Sequence, residues 1–200
     1  NRWCALLVKA RVCLDEGTWR KYHKLPNATK WITEASSAAK ELMDKGPYSL
    51  YQTGDVNNDY SLLHRAIVLP VNKEIMYYKK YATGVINNNV QASFARTVLG
   101  SSKNFVEDVL CTDGLPISLS PLYKGDSIIE NTFLNRDPRL RQVILHPADS
   151  KKLGYDTTNA YPRLPGMSGL SLSNSGYHII KHFNASYIGK AFNTGETPAI

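Results

Sequence analysis

Residues 27–47 read NATKWITEASSAAKELMDKGP, and this stretch is the clearest indication of a helical fold. Its apolar residues recur three and four apart, which is the spacing of one helix face: Trp31, Ile32, Ala35, Ala38, Ala39, Leu42 and Met43. Asn27 or Thr29 can cap the start, and Gly46 followed by Pro47 is a typical helix stop. The pattern predicts a helix whose alanines let a neighbouring helix approach closely.

A second amphipathic pattern precedes this helix, and Pro26 separates the two. One apolar face is again formed at helical spacing, by Trp3, Leu6, Leu7, Ala10, Cys13 and Leu14. We expect Gly17 to end this first helix. Two adjacent helices with a short connection predict an antiparallel hairpin of the tetratricopeptide-repeat kind in residues 1–47.

Residues 48–200 are rich in loops and tyrosines. Short helices are predicted from Asp59, as N-cap, to Ala66 and within residues 101–110, and strands within residues 73–82 and 176–183. Pro138 is expected in a turn or at a first helical position, followed by extended chain through Leu145. Long loops carried on a helical scaffold are where binding surfaces usually lie.

The composition permits one domain with a real core, since 42% of the 200 residues are hydrophobic. The net charge is +7, but the basic residues fall into small separate clusters that we interpret as solvated surface, with no nucleic-acid partner: Arg20, Lys21 and Lys24; Lys79 and Lys80; Arg136, Arg139 and Arg141. No apolar run is long enough to cross a bilayer. Because the chain enters a helical pattern directly at Asn1, we expect a fragment of a longer protein whose targeting sequence lies outside it.

No pattern in the sequence indicates catalysis, a cofactor or a metal. Cys4, Cys13 and Cys111 fit no zinc spacing and are interpreted as small buried hydrophobes. His178 and His182, four apart on a predicted strand, would be about 13 Å apart, too far to share an ion.

The acidic residues also have simpler explanations than acid–base chemistry. Glu107 with Asp108, and Asp55 with Asp59, are more economically explained as helix caps and dipole partners than as catalytic pairs. Asp55, Asn57 and Asp59 resemble the start of a calcium loop, but Tyr60 stands where the loop needs glycine, so an EF-hand is excluded. An isolated oxygen-ligand site stays open.

Aromatic and amide side chains are the remaining source of chemistry. A sugar ring offers an apolar face and a rim of hydroxyls, so its receptor needs a flat aromatic with amides and a charged donor nearby. Residues 77–96 supply such a set: Tyr78, Tyr81, Asn87, Asn88, Asn89, Gln91 and Arg96. The alternative is a strand and an Asn-rich turn whose tyrosines pack in the core.

Six segments along the chain together resemble one family. They are ALLVKARVCLDEGTWRKYH at 5–23, AAKELMDKGPYSLY at 38–51, NKEIMYYKKY at 72–81, NFVEDVL at 104–110, CTDGLPISLSPLYKGD at 111–126 and NRDPRL at 135–140. In this order, and with GYHIIKHF at 176–183, the series resembles the SusD/RagB family, the surface glycan-binding lipoproteins of Bacteroidetes. The resemblance covers nearly the whole chain.

The resemblance implies a mainly α fold in which tetratricopeptide-like helical pairs carry long irregular loops and a few short strands. Residues 1–200 would be part of one such SusD-like α/α domain, with the helical-repeat hairpin in 1–47 and the ligand-bearing part in 48–200. The loop that begins at Cys111 would pack on the helical scaffold. Asp113, Gly114 and Pro116 would therefore be structural, with Gly114 in a turn that needs a positive φ.

The function implied is non-enzymatic capture of an oligosaccharide at the outer-membrane surface and its delivery to a SusC-like TonB-dependent transporter. A lipid anchor outside this chain would hold the protein at the membrane. The ligand-binding residues expected are Tyr78, Tyr81, Asn88, Phe94 and Arg96. Some family members handle peptides, and a helical-repeat protein-interaction module remains the alternative from another class.

Overall fold

A computed structural model of the chain describes residues 1–66, 73–82, 85–86, 100–149 and 175–182. These residues are mainly helical, with isolated β-bridges and no sheet, in agreement with the predicted mainly α class. The chain divides into two compact units, Asn1–Leu50 with Leu69–Tyr78, and Tyr51–Val68 with Lys79–Ile200. Within the described part, no helix has the length and apolarity needed to cross a membrane.

The first unit contains the predicted hairpin, formed by α1 (Arg2–Tyr22) and α2 (Ala28–Lys45). The helices are antiparallel, because Arg2 near the start of α1 forms an ion pair with Glu41 near the end of α2. Lys9 Nζ lies 2.7 Å from Glu34 Oε2 further along the seam. The end of α2 before Gly46 is confirmed. Asn27 is the residue before α2, but its backbone is left-handed and its side chain forms no cap bond.

The prediction that Gly17 ends the first helix is wrong, since α1 continues to Tyr22. Gly17 is buried against α2. A Cβ atom at Gly17 would lie 2.7 Å from Ile32 Cγ1 and 3.0 Å from the Ile32 backbone nitrogen. Glycine is therefore needed here for helix–helix contact and not for termination.

The predicted apolar faces are correct at their centres and wrong at their edges. Ala35 and Ala38 are buried in the hairpin together with Cys13. Met43 is 79% exposed because it lies five residues after Ala38, about 140° further round the helix. Leu14 is half exposed for the same reason, since it lies about 100° from Cys13.

The three cysteines are free, and two of them are buried as predicted, Cys13 and Cys111. Cys4 is only half-buried, and its thiol donates to the Met76 carbonyl oxygen at 3.9 Å. This contact ties residues 73–78 to the hairpin within the first unit.

The second unit contains short helices: α3 (Asp59–Arg65), α4 (Lys103–Asp108) and α5 (Arg139–Val143), with 3-10 turns at Ile129–Phe133 and Pro147–Asp149. Both short helices predicted from the sequence are confirmed, and Ser102 Oγ accepts a hydrogen bond from the Phe105 backbone nitrogen at the start of α4. The prediction that Asp59 is the N-cap of α3 is wrong. Asn58 occupies that position, and the Asp59 carboxylate accepts bonds from the Thr53 backbone and hydroxyl instead.

Neither predicted strand forms. Residues 73–82 are irregular, with bends and isolated bridges, among them Ala82 with Ile86. In the segment 175–182, single bridges join His178 to Gly100 and Ile179 to Ile144. Alternating side chains favour extended backbone but do not supply a neighbouring strand, and without one no ladder can form.

The chain after Pro138 is helical and not extended, in contrast to the prediction. Pro138, with φ −55 and ψ −23, lies in a turn as the N-cap residue of α5, in keeping with the preference of proline for a helix start. Extended chain begins only at Ile144.

The core of the second unit lies between α4, α5 and residues 175–182. Val106, Leu140 and Ile144 are buried, and partly buried side chains surround them: Val109, Phe133, Val143, Tyr177 and Ile179. Backbone hydrogen bonds hold the extended segment between the two helices, from Ser101 N to Tyr177 O at 2.8 Å and from Ile180 N to Val143 O at 2.7 Å. This core fixes the positions of the polar groups described next.

Candidate ligand-binding cleft

The tyrosines predicted to bind ligand fall in different units. Tyr78 is 36% exposed at the end of the first unit. Tyr81 is half-buried in the second unit, with the Lys79 ammonium 5.2 Å from its ring centroid. Asn88, Phe94 and Arg96 lie outside the described residues. A shared site for these five residues therefore stays a prediction.

A polar cleft of about 680 Å³ lies in the second unit, along α3 and α5. Most of the lining side chains carry an amide, a guanidinium or a carboxylate, and a few are apolar. The lining residues are Asn57, Asn58, Ser61, Arg65, Phe133, Arg136, Asp137, Pro138, Leu140, Arg141, Gln142, Asp149 and Ile180. The cleft lies outside the stretch that the sequence singled out.

Gln142 connects the two sides of the cleft. Its side chain is buried on α5, its Nε2 donates to the Val56 carbonyl oxygen at 2.9 Å, and its Oε1 accepts from the Ser61 backbone nitrogen at 2.9 Å. Both sides of the amide are thus used, as a buried amide requires. Gln142 consequently holds the first turn of α3 against α5.

Two arginines of α5 pair with aspartates outside the helix, and of these four residues Asp137, Arg141 and Asp149 line the cleft. Arg141 binds Asp149 through two bonds, Nε to Oδ2 at 2.6 Å and Nη2 to Oδ1 at 3.0 Å. The hydrogen bond with Asp149 raises the pKa of Arg141. In the second pair, the hydrogen bond from Arg139 lowers the pKa of Asp137. Such bidentate pairs fix the direction of each guanidinium as well as its charge.

The sequence suggested that the cluster containing Arg136 is solvated surface, but the structure buries Arg136. Only 4% of it is exposed, and its guanidinium donates to the carbonyl oxygens of Val106, Val109 and Thr132. The guanidinium carbon lies 5.5 Å from the Tyr123 ring centroid. Arg136 therefore ties the end of α4 to the turn before α5 and forms part of the cleft's base.

The loop that begins at Cys111 is ordered by its own polar groups. Asp113 accepts hydrogen bonds from Ser120 Oγ at 2.7 Å and from the Leu115 backbone at 3.0 Å, and these bonds lower the pKa of Asp113. Gly114 has φ +79, which confirms the predicted turn. Thr112 N donates to Asn135 O at 2.9 Å. Asp113 and Gly114 thus have the structural roles expected of them.

Two histidines make an edge-to-face contact on the segments that supply Arg65 and Ile180 to the cleft lining. The His64 and His182 rings are 5.5 Å apart and nearly perpendicular. His64 Nδ1 lies 2.8 Å from Tyr60 O, and His182 Nδ1 lies 3.2 Å from His64 O. Because a carbonyl oxygen only accepts, each neutral ring carries its proton on Nδ1. Burial lowers the pKa of His182, which favours this neutral form.

The residues that resembled a calcium loop are engaged in turn contacts. Asp55 Oδ1 accepts from the Asn57 backbone at 3.1 Å, and Oδ2 accepts from Asn58 Nδ2 at 2.7 Å. In the described part of the chain, no three His, Cys, Asp or Glu residues are grouped so that they could hold a metal ion. The carboxylates here shape the loop before α3.

The cleft was not predicted because its contacts join distant parts of the chain. Gln142 binds groups 81 and 86 residues away, so no local spacing reveals them. The closest signal was the run RDPRLRQ at 136–142, in which a proline at a helix start sets the direction of the polar residues after it. Comparison of the chain with family models, curated proteins and solved structures gives no match.

Proposed function

We propose that this chain is a non-catalytic carbohydrate-capture protein of the SusD/RagB kind. It binds an oligosaccharide or polysaccharide at the bacterial cell surface and delivers it to a SusC-like TonB-dependent transporter in the outer membrane. A lipid anchor outside this chain holds it there. The observation that carries the proposal is the polar cleft of the second unit, whose hydrogen-bonding groups are held in place before any ligand binds.

The cleft suits a sugar in size and in chemistry. Its volume of about 680 Å³ is within the range of small-ligand sites. Asn57, Asn58 and Arg141 offer amide and guanidinium groups to a rim of hydroxyls, while Phe133 offers an aromatic ring to a face of C–H groups. Because Gln142 and the Arg141–Asp149 pair fix the lining, little side-chain entropy is lost on binding.

The tyrosine-rich stretch is the second contact region in this proposal. Tyr78 and Tyr81 provide aromatic faces, and Asn88, Phe94 and Arg96 complete the expected set. Tyr78 retains an exposed surface, and the neighbouring Tyr77 is largely exposed. Exposed tyrosines of this kind are typical of recognition surfaces.

The fold expected for this function is the SusD-like arrangement of tetratricopeptide-like helical pairs. The α1–α2 hairpin supports it, because Gly17, Ala35 and Ala38 allow two helices to pack closely. The ordered loop around Asp113 and Gly114 supports it as well. In this proposal the hairpin is one repeat of the scaffold and residues 48–200 bear the ligand.

Two arginines on the same helix provide a test of the cleft. The first step is affinity electrophoresis through gels that contain host, plant or microbial polysaccharides, followed by calorimetry with fragments of the polysaccharide that retards the chain. Arg141→Ala should weaken binding roughly tenfold or more, the scale of one lost charged contact. Arg139→Ala is the matched control, because Arg139 also pairs with an aspartate and, unlike its partner Asp137, does not itself line the cleft. Equal affinities of the two variants would remove the cleft from the proposal.

A protein-interaction module is the second candidate, and one observation favours it. Val8 and Val12 on α1 are more than half exposed and form a shallow apolar surface on that helix with Cys4, Ala5 and Cys13. The apolar face of an amphipathic helical peptide can pack on a surface of this kind. The test is an array of such peptides probed with the chain and with Val8→Ser/Val12→Ser. If one peptide binds the chain but not this variant, and no polysaccharide retards the chain, the protein is an interaction module and glycan capture is excluded.

A further inference from the structure

The end of the hairpin that joins α1 to α2 is basic. No Asp or Glu occurs between Glu16 and Glu34, and four Lys or Arg residues do: Arg20, Lys21, Lys24 and Lys30. Arg20 pairs with Glu16 at 2.6 Å, whereas within the described part of the chain Lys21 and Lys24 form no ion pair. We call residues 19–25 the hairpin tip.

The hairpin tip also exposes large apolar side chains. Trp19 is 60% exposed and Tyr22 is 79% exposed, and Leu25 follows them in the connection. The Trp19 ring lies 4.0 Å from the His23 ring, centroid to centroid, so the two form one aromatic surface. This surface points away from the hairpin's own buried face, which is formed by Cys13, Gly17, Ala35 and Ala38.

Backbone contacts give the hairpin tip a defined shape. Leu25 N donates to Arg20 O at 2.8 Å, and Arg20 Nη1 donates to Pro26 O at 3.1 Å. Lys24 and Asn27 have positive φ angles of 56° and 66°, which turn the chain sharply into α2. The exposed aromatics and lysines therefore lie within one short segment of defined backbone, the last turn of α1 and the connection that follows it.

The interface of an anionic bilayer suits the groups of the hairpin tip, which are aromatic rings, an exposed leucine and lysines that form no ion pair among the described residues. The tip itself contains no Asp or Glu. Trp and Tyr prefer the headgroup level, where the ring is partly dehydrated and its polar edge stays wet. Lysines gain from the negative surface potential and keep their ammonium groups at the phosphates. We infer that the hairpin tip binds an anionic lipid surface, with Trp19 and Tyr22 in the headgroup layer and Lys21 and Lys24 against the phosphates.

This inference is independent of glycan capture by the cleft, since the two use different residues in different units. Nucleic acid would use the same lysines, but it offers no apolar layer for Leu25 and Tyr22. A lipid contact therefore requires that charge and apolar surface both contribute.

The test is co-sedimentation of the full chain with vesicles of equal parts phosphatidylcholine and phosphatidylglycerol. Vesicles of phosphatidylcholine serve as the uncharged comparison. Binding to the anionic vesicles should fall about thirtyfold in Lys21→Gln/Lys24→Gln, the expectation for two lysines at a charged surface. Lys40→Gln/Lys45→Gln removes the same charge from α2 and should bind within about twofold of the original chain.

The apolar contribution is tested separately. Trp19→Ala/Tyr22→Ala should lower binding at least tenfold, whereas Met43→Ala/Leu50→Ala, which also removes two exposed apolar side chains, should not. In a variant that retains Trp19 as its only tryptophan, lipids brominated near the headgroup should quench the fluorescence.

Circular dichroism of each variant establishes that the helices remain. Equal binding of both lysine variants, binding without quenching, or preferential binding to single-stranded DNA lost through the same lysines would each overturn the inference.

Discussion

Substituting Gly17 by alanine tests the close packing of α1 against α2. At an exposed helix position this change stabilises by about 1 kcal/mol, because glycine is a poor helix former. At Gly17 the added Cβ would lie 2.7 Å from Ile32 Cγ1, which is about 1 Å inside normal carbon–carbon contact. It would also lie 3.0 Å from the Ile32 backbone nitrogen, so a rotamer change alone cannot relieve the overlap.

Overpacking of this kind costs about 1–3 kcal/mol. After subtraction of the propensity gain, Gly17→Ala should lower the free energy of unfolding by about 1 kcal/mol. The measurement is urea denaturation followed by far-ultraviolet circular dichroism, with the slope of the transition compared between variants.

Position 36 supplies the control, since Ser36 is exposed on α2. Ser36→Ala should be more stable than Ser36→Gly by about 1 kcal/mol, whereas at position 17 the glycine form should be the more stable. The same preference for alanine at both positions would refute close contact at Gly17.

Three further predictions follow from single contacts. Arg136→Met should lower the free energy of unfolding by about 2–4 kcal/mol in urea titrations, because three buried carbonyls lose their donor; a loss no larger than that of Arg139→Ala would contradict the buried network. Burial, and secondarily the charge of Lys181, lowers the pKa of His182. As the pH falls, the unfolded chain therefore protonates this histidine before the folded chain does. The free energy of unfolding should thus fall as the pH is lowered through about 6.5, and it should fall less steeply in His182→Gln. An unchanged slope in this variant would show that His182 does not cause the pH dependence. Tyr81→Ala should weaken glycan binding by roughly 1–3 kcal/mol in calorimetry, and unchanged affinity of the folded variant would remove Tyr81 from the site.

Local patterns predicted the helices because helical contacts are close in sequence. The period of three and four located α2, and Gly46 with Pro47 marked its end. The role of Gly17 was misread, since a glycine that ends a helix and one that admits a neighbouring helix look the same in sequence. Only the position of Ile32 distinguishes them.

Strands were predicted wrongly for a related reason. The alternation of side chains in residues 75–81 is a property of the segment, whereas a strand requires a partner elsewhere. In residues 175–182 the partners are single residues on two different segments, Gly100 and Ile144. These give bridges and no ladder.

The candidate cleft was beyond the reach of local pattern. Its lining depends on Gln142 bonds to Val56 and Ser61, and on the burial of Arg136 against carbonyls about thirty residues away. The sequence predicted a tyrosine-rich site instead, and of its members Tyr78 and Tyr81 are the two that the structure describes.

Affinity electrophoresis of the chain through a panel of polysaccharide gels, with chromatography of each polysaccharide after incubation, tests glycan capture without catalysis. We expect retardation by at least one polysaccharide and no release of shorter products. We also expect Arg141→Ala to be retarded less than Arg139→Ala in the same gel. Migration of the folded chain unaffected by every polysaccharide, or release of products in proportion to the protein added, would contradict glycan capture without catalysis.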